Sequence, residues 1–191
     1  MGDPKKSKKK YSTPLHPWKK ERIDKEREMV KQYGLKNKTE IYKSESKARK
    51  FASLAKNLIR DKRKKQAQIE TKQLLDKLTK YGFITPESQL ENVLEITITN
   101  ILNRRLQTLV FKKQLANTIK QARQFISHGH IIVNNKKITI PSYMISLEEE
   151  STIGFSSSSQ YNDKDHPEIQ KLIQKSKKEE IKEGSEEVKD E

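Results

Sequence analysis

Positive charge is concentrated in the first third of the chain, and this limits what that third can fold into. Residues 1–65 hold 23 basic and 8 acidic residues, so their net charge of +15 equals that of the whole chain. Like charges at this density repel one another unless a polyanion neutralises them. We expect this region to bind nucleic acid, an anionic membrane or an acidic protein, or else to be a solvated extension that confers solubility.

The chain as a whole is poor in apolar residues. Only 31% of the 191 residues are hydrophobic, whereas typical globular domains are about 45–50% apolar. A core therefore cannot extend along the whole chain, and part of it must be solvated or lie on a partner. The absence of cysteine excludes disulfides, thiol nucleophiles and zinc sites that need sulfur. No segment resembles a membrane span or a signal peptide, so we expect a cytoplasmic protein.

Nucleic acid suits the charge better than a membrane does. A helix that binds an anionic membrane carries large apolar residues opposite its basic face, and the lysine run that begins at Lys5 has no such face. Residues 1–19 predict an extended basic arm, because Pro14 and Pro17 interrupt a helix. Trp18 can stack on a base or, equally, anchor the arm on the protein body. The candidate RNA contacts of the arm are Lys5, Lys6, Lys8, Lys9, Lys10, Tyr11, His16 and Trp18.

Apolar periodicity predicts a helical region over residues 20–98, and its cations make it a candidate nucleic-acid-binding region. Helices are expected at residues 20–33, 40–60 and 67–81. Thr85-Pro86-Glu87 combines an N-cap residue, a proline and an acid, which predicts one more short helix after it. Cations crowd the second helix and its end. The candidate RNA contacts here are Lys47, Arg49, Lys50, Lys56, Arg60, Arg63 and Lys64.

The sequence pattern of residues 99–155 predicts a compact module in which two helices pack on a short, mostly antiparallel sheet. The predicted fold class is therefore α+β. One helix is expected to run to about Val110 and a second over 118–127. Asn134-Asn135 joins two β-prone runs into a hairpin, since asparagine tolerates a positive φ. Further strand is expected at 142–147 and 152–155. The serine run and the alternating charges of residues 156–191 predict a flexible tail.

Helical-wheel positions in the module predict a polar surface opposite its core. Arg104, Gln107, Lys120, Arg123 and Gln124 are expected to point outward, with Arg105 at the edge of the apolar arc. Arginine forks, amides and imidazoles suit contacts with phosphates and ribose hydroxyls. The candidate RNA contacts of the module are Arg104, Arg105, Gln107, Lys112, Lys113, Lys120, Gln121, Arg123, Gln124, His128, His130, Asn134, Lys136, Lys137, Ser142 and Tyr143.

We expect no metal, no cofactor, no small-molecule substrate and no catalytic residue. His128 and His130 form a pair of imidazoles, but neither a cysteine nor an acidic cluster lies nearby in the sequence. The sequence shows no nucleophile beside a base, no glycine-rich phosphate loop and no cluster of carboxylates. The protein is therefore expected not to be an enzyme.

Several motifs resemble a known family. Arg104-Arg105-Leu106-Gln107, Gln121-Ala122-Arg123-Gln124-Phe125-Ile126, His128-Gly129-His130-Ile131 and Pro141-Ser142-Tyr143 resemble the S-four RNA-binding domain. The opening Gly2-Asp3-Pro4-Lys5-Lys6-Ser7, with His16-Pro17-Trp18, resembles the arm of the archaeal and eukaryotic-type small-subunit ribosomal protein S-four family. Asn135 stands where the family usually has glycine, and the cysteine zinc knuckle of many bacterial members is absent.

The resemblance implies a structural protein of the small ribosomal subunit. It implies a primary binder of small-subunit ribosomal RNA that nucleates assembly of the 5′ domain. It further implies a place beside other small-subunit proteins near the path by which messenger RNA enters, and a role in translational accuracy. A nucleolar-type processing factor with the same fold is the alternative. An RNA-modifying enzyme is disfavoured, because no catalytic domain accompanies the module.

Overall fold

The computed structural model describes residues 2, 9–162, 166–167 and 170. The chain divides into two compact units, residues 1–103 and residues 104–191. This division falls later than the boundary predicted at residue 99. None of the helices in the described residues is long and apolar enough to cross a membrane.

The first unit is helical, as the sequence predicts. It contains α1 (Lys20–Gln32), α2 (Lys38–Arg60), α3 (Lys65–Lys80) and α4 (Ile98–Asn103). Gly34 follows α1 with a φ of 55°, a conformation that costs glycine little and that commonly ends helices. The three long predicted helices are confirmed.

The short helix predicted after Thr85 is wrong. The Oγ atoms of Thr85 and Ser88 lie 2.7 Å apart in a turn, and the chain winds only into a 3₁₀ helix at Asn92–Glu95. The N-cap residue, the proline and the acid favour the start of a helix, but too few residues follow them to form one. A single helical turn is unfavourable, because its nucleation is costly.

A small core brings the connection between α1 and α2 together with α4. Tyr33, Leu35 and Ile41 pack with Leu102 of α4. The Tyr33 hydroxyl donates a hydrogen bond to Oδ1 of Asn103 at 3.2 Å. Met29 and Val30 of α1 and Tyr42 of α2 also pack against this core, which holds the end of α1 beside the start of α2.

The second unit contains both helices and a small antiparallel sheet, as the α+β fold class predicts. It contains α5 (Leu106–Lys112), α6 (Ile119–Ser127), α7 (Leu147–Glu150) and the strands β1 (Ile131–Val133), β2 (Lys136–Lys137) and β3 (Gly154–Phe155). The strands are antiparallel in the order β2-β1-β3. Apolar side chains of α5, α6 and β1 share one core that includes Leu106, Ile126, Ile131 and Ile145.

The hairpin turn forms as predicted. Asn134 and Asn135 have φ values of 49° and 59°, and β1 and β2 pair on either side of them. Two consecutive positive φ angles are typical of a type I′ turn, whose twist matches that of paired strands. Asn135 therefore adopts the conformation for which glycine would be the usual residue.

The helix predicted to run from about Thr99 to Val110 is interrupted, which corrects the sequence analysis. Arg105 is extended, with a ψ of 143°, and forms an antiparallel bridge with Met144. The amide of Leu106 donates to the carbonyl of Tyr143 at 2.8 Å. Because this pairing takes the backbone out of helical geometry, α4 and α5 are separate helices. The strand predicted over 142–147 is reduced to the same bridge.

The first residues of the predicted flexible tail are folded against the module, so the predicted start of the tail is too early. The amide of Ser156 donates to the carbonyl of His130 at 2.8 Å. Tyr161 packs on the core, with its ring centroid 4.5 Å from that of Phe125. Residues 156–162 are therefore part of the folded unit. Residues 163–165, 168–169 and 171–191 of the predicted tail lie outside the described residues.

Candidate nucleic-acid interface

The candidate contacts of the arm differ in their surroundings. Tyr11 is half-buried and stacks on Tyr42 with ring centroids 6.4 Å apart. Lys9 Nζ lies 4.6 Å from the centroid of the Tyr11 ring. Trp18 is 90% exposed, so it does not anchor the arm on the first unit. Lys10 and His16 are also exposed, and Lys5, Lys6 and Lys8 lie outside the described residues.

The candidate cations of α2 and the residues after it are exposed. Some of them pair with nearby acids: Arg49 with Glu45, and both Arg60 and Lys64 with Asp61. The hydrogen bond from Lys64 holds the pKa of the Asp61 carboxyl below its usual value. Exposed pairs of this kind contribute little stability, so their cations can exchange partners. The exposed cations are Lys47, Arg49, Lys50, Lys56, Arg60, Arg63 and Lys64.

In the second unit, exposed polar side chains extend over α6, the loop after it and the β-hairpin. We call this surface the module face and define it by Lys120, Gln124, His128, Lys136 and Lys137, all of which are exposed. Helix α6 begins where Thr118 Oγ1 accepts a hydrogen bond from the amide of Gln121 at 3.1 Å, which is the geometry of a helix N-cap. The apolar side of α6 lies in the core and leaves Lys120 and Gln124 outside.

Gly129 allows the loop and the hairpin to approach closely. Its φ is +75°, and a Cβ atom at this position would lie 2.1 Å from Cε of Lys137. A larger residue would therefore be strained and would also displace the Lys137 side chain. The close approach places the Lys137 side chain against the loop, where its charge acts on His130.

His130 is held by residues that the sequence analysis does not assign to the site. Its Nδ1 lies 3.0 Å from Oγ of Ser159, and its ring meets Tyr161 edge-on with centroids 5.0 Å apart. His128 stacks on the other side with centroids 6.3 Å apart. Burial, together with the charges of His128 and Lys137, lowers the pKa of His130 below its usual value. We therefore interpret His130 as a neutral residue that orients the loop.

Arg104 and Gln107 point inward, so their expected outward position is wrong, and Arg105, expected at the edge of the apolar arc, is buried. Arg104 Nη1 lies 2.6 Å from the Glu150 carboxylate, and Nη2 donates to the Ile145 carbonyl at 3.0 Å. Arg105 is only 4% exposed and Gln107 only 1%. The break between α4 and α5 rotates these residues away from the positions that one continuous helix would give them.

Other candidates in the module also hold its structure together. Lys113 Nζ donates to the carbonyl of Glu150, and the Tyr143 hydroxyl donates to Oε1 of Glu149 at 3.0 Å. Arg123 is half-buried, with Nη1 3.5 Å from Oε1 of Gln107. Gln121 and Asn134 are bonded too: Gln121 Oε1 accepts from the Asn117 amide at 2.8 Å, and Asn134 Oδ1 accepts from the Thr152 hydroxyl at 2.7 Å. Lys112 and Ser142 are exposed.

The sequence contains only a weak signal for the missed residues. Ser159 and Tyr161 follow a serine run that is typical of a linker. Tyr161 is one aromatic residue without an apolar period around it. Only the approach of this segment to α6 and β1 reveals that it belongs to the site.

Comparisons with known proteins agree with this geometry. The S4 domain family model matches residues 104–151. The small ribosomal subunit protein uS4 of Methanococcus aeolicus is 50% identical over 169 residues, which cover 88% of this chain and 95% of that protein. The uS4 protein of Thermoplasma acidophilum is 42% identical over 194 aligned positions, covering 100% of this chain and 98% of that protein. The uS4 protein of Methanococcus maripaludis is 48% identical over 88% of this chain and 94% of that protein.

Proposed function

Because this chain belongs to the uS4 family of small ribosomal subunit proteins, we propose that it is a structural constituent of the small ribosomal subunit that binds ribosomal RNA. The role is one of binding and holding RNA, without catalysis. The observation that carries the proposal is the module face, where Lys120, His128, Lys136 and Lys137 remain exposed around a fully packed core. Cations on a rigid surface suit a polyphosphate of fixed shape.

The two units contribute differently to the proposed binding. The cations of the arm and α2 supply charge that neutralises phosphates and releases counterions. The module face supplies a surface whose shape is set by Gly129 and the Asn134-Asn135 turn. Shape and phosphate contacts are the usual basis for recognition of folded RNA.

We extend the proposal to the finer role that the family resemblance implies. The protein binds early to the 5′ domain of the ribosomal RNA and helps to nucleate its assembly. It lies in the cytoplasm within the subunit, beside other small-subunit proteins near the path by which messenger RNA enters, and it contributes to translational accuracy. The alternative is a processing factor that leaves with precursor particles.

Binding to a transcript of the small-subunit ribosomal RNA at several salt concentrations tests the main proposal. We expect affinity to fall steeply with salt, since each phosphate contact adds about 0.7–0.9 to the logarithmic slope. Replacing Lys120, Lys136 and Lys137 with glutamine should weaken binding and reduce the slope. The matched control replaces Lys72, Lys77 and Lys80 of α3 with glutamine.

Two outcomes would contradict the proposal. Affinity that hardly changes with salt would rule out binding through phosphate neutralisation. Sedimentation of the native protein with precursor particles alone, and not with mature subunits, would favour the processing factor instead.

A further inference from the structure

The arm folds back on α2 within the first unit. The amide of Ser12 donates to Oγ of Ser46 at 3.3 Å, and Arg49 Nη1 donates to Oγ of Ser12 at 3.2 Å. One turn of α2 away, the rings of Tyr11 and Tyr42 stack with an angle of 26° between their planes. These contacts define two adjoining cavities, both of which are bordered by Ser12 and Arg49.

The first cavity, which we call the arm groove, is cationic. It has a volume of about 410 Å³, and Lys9, Lys10, Arg49 and Lys50 line it. None of the described residues that line it carries a carboxylate. Arg49 is paired with Glu45 beside the groove, and the three lysines repel one another unless an anion lies between them. The groove is therefore suited to consecutive phosphates of a nucleic-acid strand.

The second cavity, which we call the arm pocket, is more apolar. It has a volume of about 430 Å³, and Pro14, Leu15, Met29, Ile41 and Ile98 contribute its apolar lining. This volume is within the range of sites that hold small organic groups.

The two acids at the wall of the arm pocket, Glu26 and Glu45, are already paired with cations of the protein, Glu45 with Arg49. Glu26 is only 4% exposed, and its carboxylate lies 3.0 Å from Lys38 Nζ and 3.5 Å from Arg22 Nε. The Tyr42 hydroxyl donates to the same carboxylate at 3.4 Å. Among the described residues, Arg22 Nε and Nη1 at the same wall are buried without a hydrogen-bond partner, so the pocket favours a flat group that carries hydrogen-bond acceptors, as a base does.

We propose that the arm and α2 form a binding site for one unpaired RNA nucleotide, with its flanking phosphates in the arm groove and its base in the arm pocket. The proposal rests on the proposed function, which supplies RNA as the ligand. A nucleotide joins an anionic phosphate to a flat base. The cationic groove and the more apolar pocket adjoin in the same way, because Ser12 and Arg49 border both of them. A base inside a duplex cannot enter the pocket, so the site selects unpaired nucleotides.

The groove is tested by removing its charge from the full chain. Lys10→Gln with Lys50→Gln should lower the salt slope of binding to a single-stranded oligouridylate by about 1.4, because each lost phosphate contact removes about 0.7. The matched control is Lys72→Gln with Lys77→Gln, which removes the same charge from exposed positions on α3. Equal changes in the two double variants would overturn the proposal, because net charge alone would then explain the effect.

The pocket is tested by filling it. Thr13 is exposed and lies at the pocket wall, so Thr13→Trp should obstruct the pocket without disturbing a core. We expect about tenfold weaker binding to the oligouridylate, an unchanged salt slope, and unchanged binding to an RNA duplex of the same length. The control Gln73→Trp adds the same side chain to an exposed position of α3, and thermal melting confirms that both variants fold.

Two results would contradict the proposal that a base binds in the arm pocket, and a third would contradict the proposed RNA-binding function. Thr13→Trp that binds the oligouridylate as tightly as the unaltered chain would show that no base enters the pocket. An equal loss on the duplex would show that the site does not select unpaired nucleotides. Failure of the unaltered chain to bind any ribosomal RNA would contradict the proposed function instead.

Discussion

At the scale of single residues, basic side chains serve two purposes in the module. Arg104 has its guanidinium between the Glu150 carboxylate and the Ile145 carbonyl, whereas Lys120 and Lys136 are exposed. A cation that is bonded inside the fold stabilises the protein, and one that is exposed is available to a ligand.

Replacement of Arg104 with alanine should therefore destabilise the module. We expect the free energy of unfolding to fall by about 2–3 kcal/mol, the usual contribution of hydrogen bonds to a charged group. Lys120→Ala is the control and should change it by no more than about 0.5 kcal/mol. Denaturant unfolding measures both. Weaker RNA binding by Arg104→Ala at undiminished stability would show that Arg104 contacts RNA directly.

At the scale of elements, the segment 156–162 completes the second unit. It covers Phe125 and His130 with the ring of Tyr161 and bonds Ser159 to His130. The S4 family model ends before this segment, at residue 151. The segment thus covers the core of the second unit beside the loop that carries His128 and His130.

Tyr161→Ala should loosen this layer. We expect a loss of about 2 kcal/mol in the free energy of unfolding, less than for a fully buried aromatic residue. Water would reach His130, so its lowered pKa should rise toward about 6.5. Stability that the neutral histidine contributes is present above about pH 6.5 and is lost as the pH falls toward the lower pKa of the folded state.

The NMR titration of His130 and thermal unfolding measure these effects together. Tyr161→Phe keeps the ring and should preserve both the stability and the His130 pKa. An unchanged His130 pKa in Tyr161→Ala would mean that the segment does not shield the histidine.

At the scale of the whole molecule, charge and core are divided between the two units. Residues 1–103 hold 26 basic and 13 acidic residues, whereas residues 104–191 hold 15 basic and 13 acidic residues. The second unit has a continuous apolar core of its own. The first unit therefore carries most of the net attraction to a polyanion.

A fragment of residues 104–191 should consequently fold alone and bind ribosomal RNA with a smaller salt slope than the whole chain does. Far-ultraviolet circular dichroism during heating tests the folding, and filter binding at several salt concentrations tests the slope. A fragment without a cooperative transition would show that the second unit depends on the first. Equal slopes would show that the first unit makes no net contribution to phosphate binding.

The sequence by itself determined the features that depend on near neighbours in the chain. Periodic apolar residues predicted α1, α2, α3 and α6, because helical periodicity is local. The Asn134-Asn135 turn was predictable from the conformations open to asparagine. The concentration of positive charge in the first third of the chain is read directly from the sequence.

Only the tertiary structure decided which polar residues point inward. The break at Arg105 depends on its bridge with Met144, a pairing of residues far apart in sequence that local propensity does not encode. That break buries Gln107, which a continuous helix would have exposed. The docking of Tyr161 and the folding back of the arm likewise depend on surfaces that exist only once α6 and α2 have formed.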